Sequence, residues 1–359
     1  MNFREALIEE SVVVASDAAS YIGQPFEGGA WSFDGGRELL VAALETPCSY
    51  QSRGSVDPYS VRRGRAAWQT WRSRDGGSTW QRDAVLHRIA DTLARLEEGG
   101  IEPLAHGLTV PDSKRLMAML SVPVGQHLTA GIFVSPDRGG TWQGPNLING
   151  LSLSFKESYA ESAILPREDG SLLLFATSRH PNNIPRPAVM LLSGAESYLT
   201  LLSYLPHHVD MERRFPSPVR LPDGRIVVAV TQRMAEAPGH TLIFCSDDDG
   251  RTWESLQRVN DIGDPAHLLA LRDGRLLLTY GVPLPPYRLV ARLSEDGGAS
   301  WSEAYLLREG GGSADLGSAR TIERADGTLV TLYQWNDADD EVIFSGGRRY
   351  LAALLWRPQ

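Results

Sequence analysis

Ser73–Trp80 reads SRDGGSTW, and three further stretches share its design: Ser135–Trp142 (SPDRGGTW), Ser246–Trp253 (SDDDGRTW) and Ser294–Trp301 (SEDGGASW). The common pattern is S-x-D-x-G-x-T/S-W. Aspartate and glycine at fixed offsets make a tight turn, because Asp bonds the local backbone and Gly supplies left-handed dihedrals. The Trp then starts a strand and packs between neighbouring hairpins. Four copies in one chain mark a repeat architecture.

A second repeat is superimposed on the first. Apolar, strand-like runs flank turns centred on Asp34, Asp112, Asp169, Asp223, Asp273 and Asp326, with gaps of 78, 57, 54, 50 and 53 residues. Pro218–Ala229 and His267–Leu278 are the clearest of these hairpins, each turning at Asp-Gly. A third strand follows (Leu128–Val134, Thr241–Cys245, Leu289–Leu293), then the octapeptide, then a fourth strand. The offset from the hairpin Asp to the octapeptide Asp is 25 residues for Asp112 to Asp137 and for Asp223 to Asp248, and 23 for Asp273 to Asp296. An all-β sandwich would not keep that offset.

The pattern predicts an all-β, six-bladed β-propeller with four antiparallel strands per blade. Two units lack the octapeptide. Leu192–Tyr198 reads as a decayed copy, and the last unit ends in its third strand, Tyr350–Trp356. The unassigned apolar run Ser11–Ala15 is expected to supply the missing strand of the last blade and close the ring. The whole chain, residues 1–359, reads as one domain, with an insertion around Thr46–Ala66 and a short helical insertion near 86–98, where Ile89, Leu93 and Leu96 recur at helical spacing.

Length and charge bound the function. The 359 residues exceed what one core normally supports, a limit that stacked repeats avoid. Formal net charge is −9, from 35 Lys and Arg against 44 Asp and Glu. That disfavours nucleic acid and anionic membranes as partners. The only two cysteines, Cys48 and Cys245, are far apart, so neither a disulfide framework nor a Cys metal site is readable. His207, His208 and Asp210 have weak metal spacing and read as a solvated loop. No metal and no cofactor are expected. The acidic N-terminal stretch does not read as a signal peptide, which leads to a cytoplasmic expectation.

The octapeptides resemble the Asp boxes, or BNR repeats, of the sialidase (neuraminidase) superfamily, and at the level of fold the resemblance covers nearly the whole chain. It implies that the octapeptides are structural and lie away from the active face. It places site residues just before first strands and just after second strands. Read so, Arg179, Arg233 and Arg288 are candidates for the three arginines with which sialidases hold a sugar carboxylate. The planar fork of Arg suits that task. Glu161 resembles the family Glu that activates the nucleophile, and Asp57 falls where the family carries its acid/base Asp. Asp315 and Trp335, bounding the first hairpin of the last unit, are further substrate-binding candidates.

The chain departs from the family in two places. No R-I-P motif opens the first unit, and Asp315–Ile322 lacks the tyrosine nucleophile, with Ser318 at its expected place. Three functions therefore stay open. One is an exo-acting, sialidase-like glycoside hydrolase that takes a terminal acidic, carboxylate-bearing sugar. The second is a uronate lyase, because His267, Tyr280 and Arg288 resemble the site of propeller-type polysaccharide lyases. The third is a non-catalytic propeller that binds glycans or proteins.

Overall fold

A computed structural model describes residues 3–51, 65–91, 115–124, 127–148, 157–179, 184–193, 199–234, 237–339 and 347–359. The chain is all-β and antiparallel, and it divides into two compact units: Met1–Ala90 with Ile262–Gln359, and Asp91–Asp261. Among the described residues no helix is long and apolar enough to cross a membrane.

Among the described residues the first unit holds three sheets. One runs in spatial order Ala6–Ala15, Tyr350–Pro358, Leu329–Trp335, Gly317–Glu323. Its outer strand is the N-terminal run, with Ala6 opposite Pro358 and Ala15 opposite Leu351. A second sheet is the meander Ala266–Ala270, Leu276–Val282, Arg288–Ser294, Tyr305–Glu309. In the third, Glu38–Pro47, Ala67–Ser73 and Gln81–Arg88 stand behind a broken first strand. Ser20–Gly23 and Ala30–Phe33 both pair with Glu38–Pro47, and a single helical turn, Pro25–Gly28, separates them.

The other unit holds two sheets. Seven strands form one of them: Leu116–Val124, His127–Ser135 and Gln143–Leu147, then Glu157–Pro166, Leu172–Arg179, Arg186–Leu192 and Leu199–Tyr204. The two groups meet at one bridge, Glu161 to Leu120. The next sheet is Glu212–Arg220, Ile226–Arg233, His240–Ser246, Glu254–Arg258. The turn at Asp112 lies outside the described residues, as does the expected helix beyond residue 91, of which 89–91 are helical.

The four octapeptides are built alike. In each, the Ser hydroxyl donates to the Asp carboxylate at 2.8–2.9 Å and accepts the backbone N–H of the first conserved Gly at 2.7–2.8 Å. The Asp also accepts the N–H and the hydroxyl of the Thr or Ser before the Trp. The Asp-Gly hairpins turn at Gly170, Gly224, Gly274 and Gly327, whose φ of 80 to 92° is the left-handed region open to glycine.

Consecutive sheets bury their faces on one another. In the first unit Leu277, Leu289 and Ala291 meet Tyr333, Ala352 and Trp356. In the second, Leu173, Phe175 and Val189 meet Val228, Val230 and Phe244. Each buried Leu, Val or Phe among them contributes about 1.5–3 kcal/mol. Trp253 of the third octapeptide packs edge-on against Phe175 at 6.0 Å, so the turn motif also seals the space between two sheets.

Candidate active site

The first strands carry a shared irregularity. Register shifts fall between Ala160 and Ala163, Arg214 and Ser217, and Gly317 and Arg320. At each shift a non-glycine residue takes a left-handed φ: Ser162 at 46°, Phe215 at 58° and Ser318 at 44°. Bulges bend a strand and re-aim its side chains, which is why they recur near functional sites. Superimposing the three makes Glu161, Arg214 and Gly317 equivalent. The first bulge is pinned by Ser162, whose hydroxyl bonds both the N–H and the C=O of Met119 at 3.2 Å. Ser121 reinforces it by accepting the N–H of Ala160 at 3.0 Å.

Glu157 opens its strand directly opposite Arg179, the last residue of the neighbouring strand. Their ion pair measures 3.4 Å. His127 Nδ1 lies 3.2 Å from the other carboxylate oxygen, and the Tyr159 hydroxyl donates to Glu157 at 2.9 Å. The next sheet repeats the design: Glu212 stands opposite Arg233, at 3.5 Å, and Arg214 Nε is 2.8 Å from the same oxygen. The Arg214 guanidinium sits 5.1 Å above the Tyr159 ring and joins the two halves. Arg179 is 47% exposed and Arg214 only 13%, so the cluster runs inward from a solvent-facing mouth.

This arrangement separates the protonation behaviour of its members. Burial alone would raise the Glu157 carboxyl, but hydrogen bonds from His127 and Tyr159 and the charge of Arg179 outweigh it and hold it below the usual range. Tyr159 moves the other way, to about 12, through burial and its bond to Glu157. At neutral pH the pair is therefore a carboxylate and a phenol donor.

The sequence-predicted residues fall into distinct groups. Arg179 and Arg233 are brought into this cluster. Arg288 lies in the other unit, where it bonds Glu309 at 2.6 Å and lies over the Phe3 ring, and within this unit Arg214 stands beside Arg179 and Arg233 as a third arginine. Glu161 is not at the strand start. It occupies the bulge, is 2% exposed and accepts the Thr177 hydroxyl at 3.2 Å. Asp57 lies outside the described residues.

His267 pairs with Thr279 across their hairpin, whereas Tyr280 pairs with Ala266. Adjacent residues alternate faces, so His267 and Tyr280 point to opposite sides of the sheet. His267 is buried, Nδ1 accepts the Thr321 N–H at 3.1 Å, and burial and then the charge of Arg320 push its pKa well below the ordinary value. The Tyr280 hydroxyl accepts Arg292 Nε at 3.0 Å. The lyase constellation is thus not assembled.

Asp315 is held by Gln334 at 2.6 Å and by the buried Arg349 at 2.9 Å. Trp335 is a fully buried core residue packed on Tyr333, not a surface platform.

The sequence profile of the BNR repeat-like domain matches residues 108–329, more than half of the chain. The chain belongs to the BNR repeat-like family. No curated protein matches it. Among solved structures, this BNR repeat-like chain is similar to a protein of unknown function from Dyadobacter fermentans, with 18% identity, 99% of each chain covered and a TM-score of 0.73. It is also similar to the endosialidase of phage phi92, at 11% identity over 99% of this chain and 70% of that one, with a TM-score of 0.67. An α-L-arabinanase of Penicillium chrysogenum, bound to arabinobiose, matches at 12% identity over 98% of each chain, with a TM-score of 0.61. At such identities the likeness establishes the fold.

Glu157, Tyr159, His127 and Glu212 were not singled out in the sequence of this BNR repeat-like protein. A signal existed for the two acids. Counted back from the Asp-Gly turns, and allowing for one bulge each, Glu157 and Glu212 mirror Arg179 and Arg233. His127 and Tyr159 had no comparable mark.

Proposed function

We propose that this protein is a glycoside hydrolase whose reacting groups are gathered around Glu157, Arg179, Arg214 and Arg233. The observation that supports this most is the paired Glu–Arg register of two consecutive sheets, linked through Tyr159 and Arg214. Hydrolysis of a glycosidic bond passes through an oxocarbenium-like state and needs two carboxyl groups in different protonation states. Glu157, held ionised, suits the group that faces the developing positive charge. Asp57 remains the proposed proton donor, and Glu161 the enclosed carboxyl behind the site. Arg179, Arg233 and Arg214 offer planar donors to a carboxylate on a terminal acidic sugar bound in exo fashion. We take the fold to be the closed six-bladed propeller that the turn spacing predicts.

One observation favours a second reading of the substrate. Arg179 pairs with Glu157, and Arg214 and Arg233 share Glu212, so two carboxylates already offset most of the positive charge of the three arginines. A neutral terminal sugar fits that balance.

The test is a panel of chromogenic sialosides, uronides and neutral glycosides, assayed with wild type, Glu157→Gln and Glu161→Gln. Wild type should cleave at least one, and Glu157→Gln should lower kcat by about 10²-fold or more. Cleavage of none, or equal rates for Glu157→Gln and wild type, refutes the assignment. Cleavage of neutral glycosides alone decides for the second reading.

A further inference from the structure

The first unit contains a cavity of about 410 Å³ that the proposed reaction does not use. Trp301, Ser300 and Ser302 line it at the octapeptide end of the sheet, with Tyr305, Arg4 and Glu295. Its volume falls in the range of about 300–1,000 Å³ typical of small-molecule sites.

The walls specify a chemistry. The Arg4 guanidinium lies 5.1 Å over the Tyr305 ring, and the strand bridge between the same two residues fixes that stack. Trp301 donates Nε1 to Gly298 O at 3.1 Å, which anchors the indole within its turn while the side chain stays part-exposed. Arg275, also on the wall, is neutralised by Asp273 at 2.7 Å. Arg4 and Glu295 then leave one cation and one anion among the lining side chains. A strongly anionic ligand meets Glu295, and a cationic one meets Arg4. A ligand with many hydroxyls and an apolar C–H face meets donors, acceptors and aromatic rings together.

We propose that this cavity is a second, non-catalytic site that binds a neutral saccharide unit of a polymeric glycan. It shares no residue with the Glu157 cluster and does not depend on hydrolysis there. Its role would be to raise the time the protein spends on a polymer.

The test is affinity electrophoresis of the Glu157→Gln protein through gels carrying arabinan, xylan, dextran or polygalacturonate. At least one neutral polymer should retard it. Adding Arg4→Ala or Glu295→Ala, both exposed side chains, or Trp301→Ala should weaken retardation about tenfold, a loss of about 1.4 kcal/mol. The two surface variants keep the test valid if Trp301→Ala fails to fold. Retardation by polygalacturonate alone, by no polymer, or undiminished in both Arg4→Ala and Glu295→Ala, overturns the proposal. Because the readout is mobility, it stands or falls apart from any glycosidase assay.

Discussion

Asp247, Asp248 and Asp249 stand side by side in the third octapeptide, yet their replacement should have three different outcomes. The Asp248 carboxylate accepts the Thr252 hydroxyl at 2.6 Å, the Ser246 hydroxyl and the Thr252 N–H at 2.8 Å each, and the Arg251 N–H at 3.1 Å. Hydrogen bonds to a charged group contribute about 1.5–3 kcal/mol each when buried. These donors are close to water, which replaces part of what is lost, so the net effect of Asp248→Ala is set at about 2 kcal/mol. The depressed pKa of Asp248 gives a bound of the same order. The Thr252 hydroxyl above all, then its N–H and Ser246, hold the Asp248 pKa at about 2 instead of 3.8. That shift converts to about 2.4 kcal/mol at most, and solvent screening of so exposed a group reduces it to about 1 kcal/mol.

Asp249 bonds Arg167 and Arg220 at 2.5–2.7 Å, and Asp249→Asn should cost about 1 kcal/mol. Asp247 is exposed, and Asp247→Ala should stay within about 0.5 kcal/mol of wild type. Urea denaturation of the three variants reads these differences. The Asp248 contribution is complete above about pH 4 and is lost as pH falls through about 2, so wild type and Asp248→Ala should converge in that window. Equal destabilisation by Asp247→Ala and Asp248→Ala would refute the account of the turn.

Two further outcomes follow from the site. Tyr159→Phe removes a donor that favours ionised Glu157, so the acidic limb of the kcat/KM profile should move to higher pH, by up to about one unit; an unmoved limb separates Glu157 from the reaction. Gly317 has a φ of 86°, and a Cβ there would come within 2.8 Å of the Gly281 backbone. Gly317→Ala should therefore destabilise by more than about 2 kcal/mol in thermal unfolding, and an unchanged midpoint would show that the strands separate freely.

Much of the strand plan was legible because its signals are local. An Asp-Gly turn and an octapeptide at a constant offset fix both ends of a hairpin, and period-two apolar runs fill the space between. The predicted third strands Thr241–Cys245 and Leu289–Leu293 lie one residue inside the observed His240–Ser246 and Arg288–Ser294 at each end. The site was less legible because bulges break the register on which such reading depends. The sequence points to Glu161 as the strand-opening acid, but Glu157, four residues earlier, holds that place. Arg288 and Trp335 sit at strand ends where a site residue is expected, but an ion pair across the sheet and complete burial are three-dimensional facts with no trace in local sequence. The helical turn that splits the first strand escaped for the same reason: Pro25–Gly28 is too short to show a periodicity.

The pairing of Ala6–Ala15 with Tyr350–Pro358 has a consequence for biosynthesis. Ala6–Ala15 is synthesised long before Tyr350–Pro358 and cannot meet its partner until that later strand has been made. Through that delay Leu7, Ile8 and Val13, which stay exposed even in the finished sheet, are presented on an unpaired edge. Such long-range closure is slow and open to mispairing, so folding yield in the cell should depend more on what shields this segment in the interval than on any repeat in the middle of the chain.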